Sequence, residues 1–281
     1  MKPFALIAIS VFLLTSCGEQ PSKNNTAASD AAQGAESDGG DQMRSGEGAN
    51  SGNQYPEALN RVFEAHGGLD AWKAQRTLTY VMPKETLSET HTIDLKTRED
   101  RIDTDDYSMG FDGGRTWILD PDGTYEGNPE FYHNLMFYFY AMPFVLADPG
   151  IHYGSTPDLE FEGKAYPGIR ISYGEGVGIT PEDEYYLHYD PDTGQMAWLG
   201  YTVTYRTGEP SDNVKWIRYD NWQPVEGVLL PASISWYEYQ GRQIGDRRNT
   251  VPFEQVALEE TARPEGYYEK PEGAEFFKKE E

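Results

Sequence analysis

One apolar stretch decides the architecture of this chain: residues 129–146 read PEFYHNLMFYFYAMPFVL. Its aromatic and aliphatic side chains recur nearly all round a helix, and a helix that is apolar on every side must be buried on most of its surface. Pro143 is expected to end or kink this helix, and Pro149-Gly150 to turn the chain back into strands. The sequence therefore predicts one buried apolar helix, which other parts of the chain must cover.

The sequence on both sides of this stretch predicts strands, because apolar and polar residues alternate there with a period of two. The predicted strands are residues 77–82, 87–95, 100–104, 107–111, 115–119, 159–162, 168–173, 184–189, 195–206, 214–222, 228–239, 243–249 and 255–261. Short connections without intervening helices favour antiparallel pairing in a meander. Before them, helical spacing from Leu59 to Phe63 predicts a short helix that Gly67-Gly68 stops, and a second begins at Leu69. The predicted fold is mainly β: a strongly curved antiparallel sheet, or half-barrel, wrapped around one buried apolar helix, with short N-terminal helices.

The N-terminus has the pattern of a lipoprotein signal peptide. Lys2 precedes an apolar run over residues 4–14, which is too short to span a bilayer. The run ends in Leu14-Thr15-Ser16-Cys17, which resembles the bacterial lipobox, in which the cysteine is acylated, with palmitate for example, after cleavage just before it. Lipidation at Cys17 predicts a protein anchored in the cell envelope, at the outer membrane. The alternative is a secreted protein with an unpaired cysteine.

Composition divides the chain into four parts. Residues 1–16 are predicted to be the signal peptide, and residues 17–54 the lipidated cysteine followed by a disordered tether built from Ser, Gly, Ala, Asn, Gln and Asp. Residues 55–262 are predicted to be the antiparallel half-barrel domain, and residues 263–281 an acidic C-terminal tail.

Charge and motif content exclude several classes of function. The 23 basic and 47 acidic residues give a net charge of −24, which repels phosphate backbones, so no nucleic-acid partner is expected. The single cysteine permits no intramolecular disulfide and no cysteine zinc cluster. Neither a G-x-S-x-G nor an H-E-x-x-H motif is present, and the Asp-rich turns at 120–123 and 190–194 lack the glutamate that completes a calcium loop. We therefore predict no catalytic residue, no metal and no cofactor.

Aromatic side chains are the best candidates for contact with a ligand. Tryptophans lie on separate predicted strands, and strand alternation sends some of them inward, towards the apolar helix. The candidate ligand-binding residues are Trp117, Phe137, Tyr140, Phe144, Trp198, Trp216 and Trp236. The alternative for each of them is packing in the core.

Four short stretches resemble an uncharacterised family of envelope lipoproteins within the lipoprotein-carrier (LolA/LolB-like) superfamily. They are Ala65-His66-Gly67-Gly68-Leu69 with Trp72, Phe111-Asp112-Gly113 with Trp117, Pro143-Phe144 with Leu146, Asp148 and Gly150, and Leu229-Leu230-Pro231. The resemblance covers roughly residues 55–261 and implies an incomplete antiparallel barrel, closed by helices around an apolar cavity that holds acyl chains. The lipobox suits an anchored acceptor better than a soluble shuttle.

The sequence thus favours a lipid-anchored envelope protein that binds an apolar ligand, either an acyl chain or the lipid of another lipoprotein, without catalysis. Its partners would be the membrane, through the N-terminal lipid, and that ligand. Two alternatives stay open. One is an envelope enzyme whose site is assembled from dispersed histidines and carboxylates, and the other is a scaffold protein whose barrel is filled by its own side chains.

Overall fold

Two antiparallel sheets make up most of the described protein, as the alternation of apolar and polar residues predicts. The computed structural model describes residues 54–173, 183–203 and 213–278. The predicted signal peptide, Cys17 and nearly all of the predicted tether lie outside these residues. So do residues 174–182 and 204–212, which include most of two predicted connections and the end of the predicted strand 195–206. No helix among the described residues is long and apolar enough to cross a membrane.

Two short helices precede the strands, at the predicted places. Helix α1 (Glu57–Ala65) buries Leu59, Val62 and Phe63, and helix α2 (Leu69–Ala74) buries Trp72. Gly67 between them has a φ of 99°, and a Cβ there would lie 2.2 Å from the carbonyl oxygen of Gly227, so only glycine fits this turn.

Fourteen strands are present in the described residues. In chain order they are β1 (Thr77–Met82), β2 (Glu89–Asp94), β3 (Asp100–Asp103), β4 (Ser108–Phe111), β5 (Thr116–Leu119), β6 (Ile151–Phe161), β7 (Lys164–Tyr173), β8 (Tyr185–Tyr189), β9 (Met196–Tyr201), β10 (Lys215–Val225), β11 (Val228–Gln240), β12 (Gln243–Pro252), β13 (Glu254–Glu259) and β14 (Glu275–Phe276). The first sheet has the order β13-β1-β2-β3-β4-β5-β14, and the second runs consecutively from β6 to β12. Pairing is antiparallel as predicted, but the described strands form two sheets where the sequence predicted one, and neither sheet closes into a barrel through them.

The chain passes from one sheet to the other at Phe253, between β12 and β13. The amide of Phe253 donates a hydrogen bond to the carbonyl of Ala232 (2.8 Å), while β13 pairs with β1. The main hydrophobic core contains side chains from both sheets and from the helices. A smaller cluster lies on the opposite face of the second sheet, because neighbours along a strand point to opposite faces: Leu199 belongs to the main core and Trp198 to the smaller cluster.

The apolar stretch is helical, but it is divided into three short pieces instead of the single predicted helix. They are α3 (Pro129–Tyr132), α4 (Leu135–Tyr140) and a 3₁₀ helix (Phe144–Ala147), and we call residues 129–147 the helical segment. Asn128 caps α3, since its side-chain oxygen accepts a hydrogen bond from the amide of Phe131 (3.2 Å). The break before α4 falls at polar His133 and Asn134, which the apolar pattern does not detect.

The predicted acidic tail packs on the first sheet over its described part. The indole Nε1 of buried Trp117 donates to the carbonyl of Tyr268 (2.9 Å), and the amide of Phe277 donates to the carbonyl of Thr116 (2.9 Å). Long-range backbone pairing between β14 and β5 therefore holds residues whose own sequence shows no strand pattern.

Candidate ligand-binding cavity

A cavity of about 640 Å³ lies beside the helical segment. Its walls come from α2, the turn between β2 and β3, the helical segment, the start of β6, and the neighbouring ends of β7, β8 and β9. Most of the side chains in these walls are aliphatic or aromatic. The volume falls within the range of about 300–1,000 Å³ that is common for small-molecule sites.

The helical segment has two faces with different surroundings. Its cavity face lines the cavity and consists of Phe131, Leu135, Tyr138, Phe139 and Met142. The spacing of three and four residues puts these side chains on one side of the helical turns. Its core face does not line the cavity and consists of Tyr132, His133, Met136, Phe137 and Tyr140. The carbonyl of Phe139 accepts a hydrogen bond from the buried hydroxyl of Tyr219 on β10 (2.7 Å), which ties the segment to the second sheet.

Three tyrosines from adjacent strands of the second sheet form the facing wall. The rings of Tyr173 and Tyr185 meet edge to face at 5.8 Å between centroids, and Phe139 approaches Tyr201 to 5.1 Å. Burial raises the pKa of Tyr173 and of Tyr185, and it raises the pKa of Tyr201 to about 12. All three hydroxyls therefore stay neutral at physiological pH, and the wall combines apolar rings with uncharged hydrogen-bonding groups.

Charged groups stand at the edges of the cavity. The Arg98 guanidinium binds both carboxylate oxygens of Asp148, each at 2.7 Å, and also lies 5.2 Å from the ring centroid of Phe137. This ion pair joins the β2–β3 turn to the end of the helical segment. Lys73 and Lys96 are exposed, and Asp183 is buried on the side of the second sheet.

The structure brings one of the seven predicted ligand-binding residues into the cavity wall and a second one close to it. Phe144 lines the cavity and stacks on Trp72 with 4.8 Å between the ring centroids. Trp236 donates from Nε1 to the hydroxyl of Tyr201 (3.1 Å) and contacts Phe139, so it supports two lining side chains from behind.

The other five predicted residues lie elsewhere. Phe137 and Tyr140 are on the core face, where Tyr140 packs against Tyr80 of β1 and against Phe253, each at 4.4 Å between centroids. The remaining three are Trp198 and Trp216 in the smaller cluster and Trp117 beneath the C-terminal residues. The described part of the chain does not bring these five side chains to the cavity.

Sequence reasoning missed most of the wall that the structure shows. Leu135 and Tyr138 were in the apolar stretch, and their spacing of three residues was the signal that could have separated them from the core face. Tyr173 and Tyr185 stand at strand ends, where alternation no longer says which way a side chain points. For Trp72, the sequence offers only its place in a stretch that resembles the envelope lipoproteins.

Histidines and carboxylates form two buried pairs on the first sheet, outside the cavity wall. Glu89 accepts hydrogen bonds from the hydroxyl of Tyr132 (2.7 Å) and from Lys84, and it lies 3.3 Å from Nε2 of His91. Burial would raise the pKa of Glu89, but the hydrogen bonds from His91 and Lys84 outweigh it and lower the pKa to about 2. No group of three or more His, Cys, Asp or Glu in the described residues could hold a metal ion.

Asp100 and His133 form the second pair. The Nδ1 of His133 lies 2.6 Å from the Asp100 carboxylate, and burial raises the pKa of Asp100. Together with Tyr132 on Glu89, this contact fastens the core face of the helical segment to β2 and β3. A third buried histidine, His66, lies at the C-terminus of α1, where its Nδ1 donates a hydrogen bond to the carbonyl of Val62 (2.8 Å).

Comparisons with known proteins give a family model and several solved structures to which the chain is similar. A family of unknown function, DUF6503, matches residues 126–228. The sequence matches no curated protein.

Among solved structures, a DUF1329 family protein from Desulfovibrio piger matches with a TM-score of 0.47 and 10% identity, over 75% of this chain and 95% of that one. A LolA superfamily protein from Nitrosomonas europaea matches with a TM-score of 0.44 and 8% identity, over 76% of this chain and 96% of that one. The matched structures thus include a member of the superfamily that the sequence resembles.

Proposed function

We propose that this chain is a lipid-anchored protein of the cell envelope that binds an apolar ligand, an acyl chain or the lipid of another lipoprotein, in the cavity beside the helical segment. Binding needs no chemistry from the protein, and the cavity wall offers an apolar surface with a few uncharged hydroxyls. We further propose that the two sheets curve around the helical segment as a half-barrel and that Cys17 holds the protein at the outer membrane.

One observation supports this proposal above the others: the cavity itself, about 640 Å³ between the helical segment and the tyrosines of the second sheet. A scaffold protein whose interior is filled by its own side chains would have no need of such a space. The space opens partly to solvent, so a ligand can enter it from outside, and covering its apolar wall removes that surface from water.

The enzyme alternative has less support. The two histidine–carboxylate pairs are buried, with His91 only 1% and His133 only 5% exposed. None of the four side chains belongs to the cavity wall. A substrate in the cavity would therefore meet tyrosines, apolar side chains and the charged groups at its edges, and no histidine lines this cavity.

Ligand binding can be tested with the full chain carrying Cys17→Ser, so that its own acyl groups cannot occupy the cavity. We expect saturable binding of a fluorescent fatty acid. Leu135→Gln should weaken this binding about tenfold, because a half-buried lining leucine then becomes polar. Phe144 is less suitable for this test, since it is 1% exposed and its replacement would also disturb the fold.

The matched control for this experiment is Leu229→Gln, the same change at a half-buried leucine of β11 that does not line the cavity. It should bind the probe as the parent does. Absence of saturable binding by the folded parent would reject the proposal and favour the scaffold alternative.

The anchor can be tested separately in cells. Cys17→Ser should release the protein from the membrane fraction, because the acyl groups on Cys17 are the proposed anchor. If the variant still sediments with membranes after a high-salt wash, the anchor proposal is wrong.

A further inference from the structure

Two lysines stand together at one edge of the cavity. Lys73 is on α2, and Lys96 follows β2 in the turn to β3. The Nζ of Lys96 donates a hydrogen bond to the backbone carbonyl of Lys73, so the Lys96 ammonium group is held beside α2 although it is exposed. Both side chains border the same apolar space.

The positive charge of the cavity wall is concentrated at these two lysines, because the third cation of the wall, Arg98, is paired. Arg98 is neutralised by its two-point contact with Asp148. Asp183 lies on the side of the second sheet, close enough to Tyr173 and Tyr185 to raise their pKa values further. The edge of the cavity therefore has two positive charges, those of Lys73 and Lys96, in a chain whose net charge is −24.

The chain as a whole repels anions, because its net charge is −24. Against a net charge of −24, a pair of ammonium groups at the cavity edge is a local exception that favours a negative group there. Lysine acts as a compact point charge, which suits a carboxylate or a phosphate without demanding a fixed geometry.

We infer that the ligand is an amphiphile with one anionic head group, a carboxylate or a phosphate, which lies at Lys73 and Lys96 while its hydrocarbon chain fills the cavity. This inference rests on the proposed function and adds the chemical class of the ligand. It distinguishes a fatty acid or a phosphate monoester from an uncharged acyl chain.

The test compares ligands of one chain length by isothermal titration calorimetry with the full chain carrying Cys17→Ser. Dodecanoate and dodecyl phosphate should bind about tenfold more tightly than dodecanol, and dodecylammonium should bind more weakly than dodecanol. Raising the salt concentration should weaken binding of the two anions and leave dodecanol unchanged. If only one of the two anions binds more tightly than dodecanol, the ligand carries that kind of head group.

Substitutions of Lys73 and Lys96 test whether these two side chains cause the preference for anionic ligands. The double variant Lys73→Gln with Lys96→Gln should lower dodecanoate affinity about tenfold and leave dodecanol affinity unchanged, and Lys73→Arg with Lys96→Arg should restore dodecanoate binding. Lys278→Gln, which removes an exposed lysine outside the cavity wall, is the control for net charge and should change nothing.

Two outcomes would overturn the inference while the proposed function stands: equal affinity for dodecanoate, dodecyl phosphate and dodecanol, or full dodecanoate affinity in the folded double glutamine variant. If none of the four ligands binds, the proposed function itself fails.

Discussion

Phe137 and Tyr138 are neighbours in α4, yet they belong to regions of the protein with opposite properties. Phe137, on the core face, is 2% exposed and packs in the main core beneath the Arg98 guanidinium. Tyr138, on the cavity face, is 38% exposed and borders the unfilled space. One short helix thus separates a densely packed region from an open one.

The polar groups of the two faces differ as well. On the core face, Tyr132 and His133 are hydrogen-bonded to buried carboxylates of the first sheet, which fixes the position of the segment. On the cavity face, the neighbouring charges and hydroxyls stand at the edges of an apolar space. The comparison suggests that the core face supplies stability and the cavity face supplies binding, and the following predictions test that division.

The largest expected effect is on stability, at the core face. Phe137→Ala should lower the free energy of unfolding by about 3–5 kcal/mol, because it removes a fully buried ring and leaves a cavity in a packed region. Urea denaturation measures this loss. Affinity for a fluorescent fatty acid should stay within about twofold of the parent under conditions where the variant is folded, because Phe137 does not line the cavity.

Two results would contradict this division between a stabilising core face and a binding cavity face. Phe137→Ala could be nearly as stable as the parent, or it could abolish binding while folded. The first result would mean that the segment is only loosely attached to the core. The second would mean that the two faces are coupled.

The next effect concerns the carboxylate that holds the core face. The pKa of Glu89 in the folded protein is about 2, below its ordinary value of 4.5, so the stability it contributes is fully present above pH 4.5 and is lost as the pH falls towards 2. Between pH 6 and pH 3 the parent should lose about 2 kcal/mol more stability than Glu89→Gln does.

Denaturation by urea at several pH values between 6 and 3 measures this difference. Glu85→Gln is the matched control, because Glu85 is an exposed glutamate four residues earlier, in the connection between β1 and β2. It should follow the pH dependence of the parent. Identical pH profiles for Glu89→Gln and the parent would show that this carboxylate does not hold the segment.

Most of the strands could be predicted from the sequence, because burial on one face imposes a period of two. Strand β1 has the predicted bounds, Thr77–Met82. Strand β6 begins at Ile151, eight residues before the prediction, since 159 − 151 = 8. It lies at the edge of its sheet, and its first eight residues include no buried side chain, so backbone pairing with β7 forms it without an apolar pattern.

The helical segment was predicted as a whole but not in its parts. An apolar pattern predicts a helix, and helices α3 and α4 lie within the stretch. It does not reveal that His133 pairs with Asp100, a contact between residues 33 positions apart, or that the helix is interrupted next to it. Such a break depends on a partner that only the folded chain brings close.

The candidate site could be predicted only in outline. The apolar stretch indicated that its neighbourhood would be the place for a ligand, and Phe144 is in the cavity wall. Strand alternation requires Trp198 and Leu199 to point to opposite faces, but it cannot say which face is the inner one. The sequence analysis names Trp198 as a candidate, and the structure places Leu199 in the main core and Trp198 in the smaller cluster.

The smallest expected effect completes the comparison, at the cavity face. Tyr138→Ala should lower the free energy of unfolding by no more than about 1 kcal/mol, because the ring is already partly exposed and its removal opens no closed void. The same variant should bind a fluorescent fatty acid about tenfold more weakly, since the lost ring would have covered the bound chain.

Tyr239→Ala is the control, as Tyr239 is a partly buried tyrosine that packs on the smaller cluster outside the cavity wall. Titration of the probe and urea denaturation on all three proteins measure both effects. If Tyr138→Ala lost stability as Phe137→Ala does while keeping its affinity, the two faces would share one structural role and the cavity wall would have to be sought elsewhere.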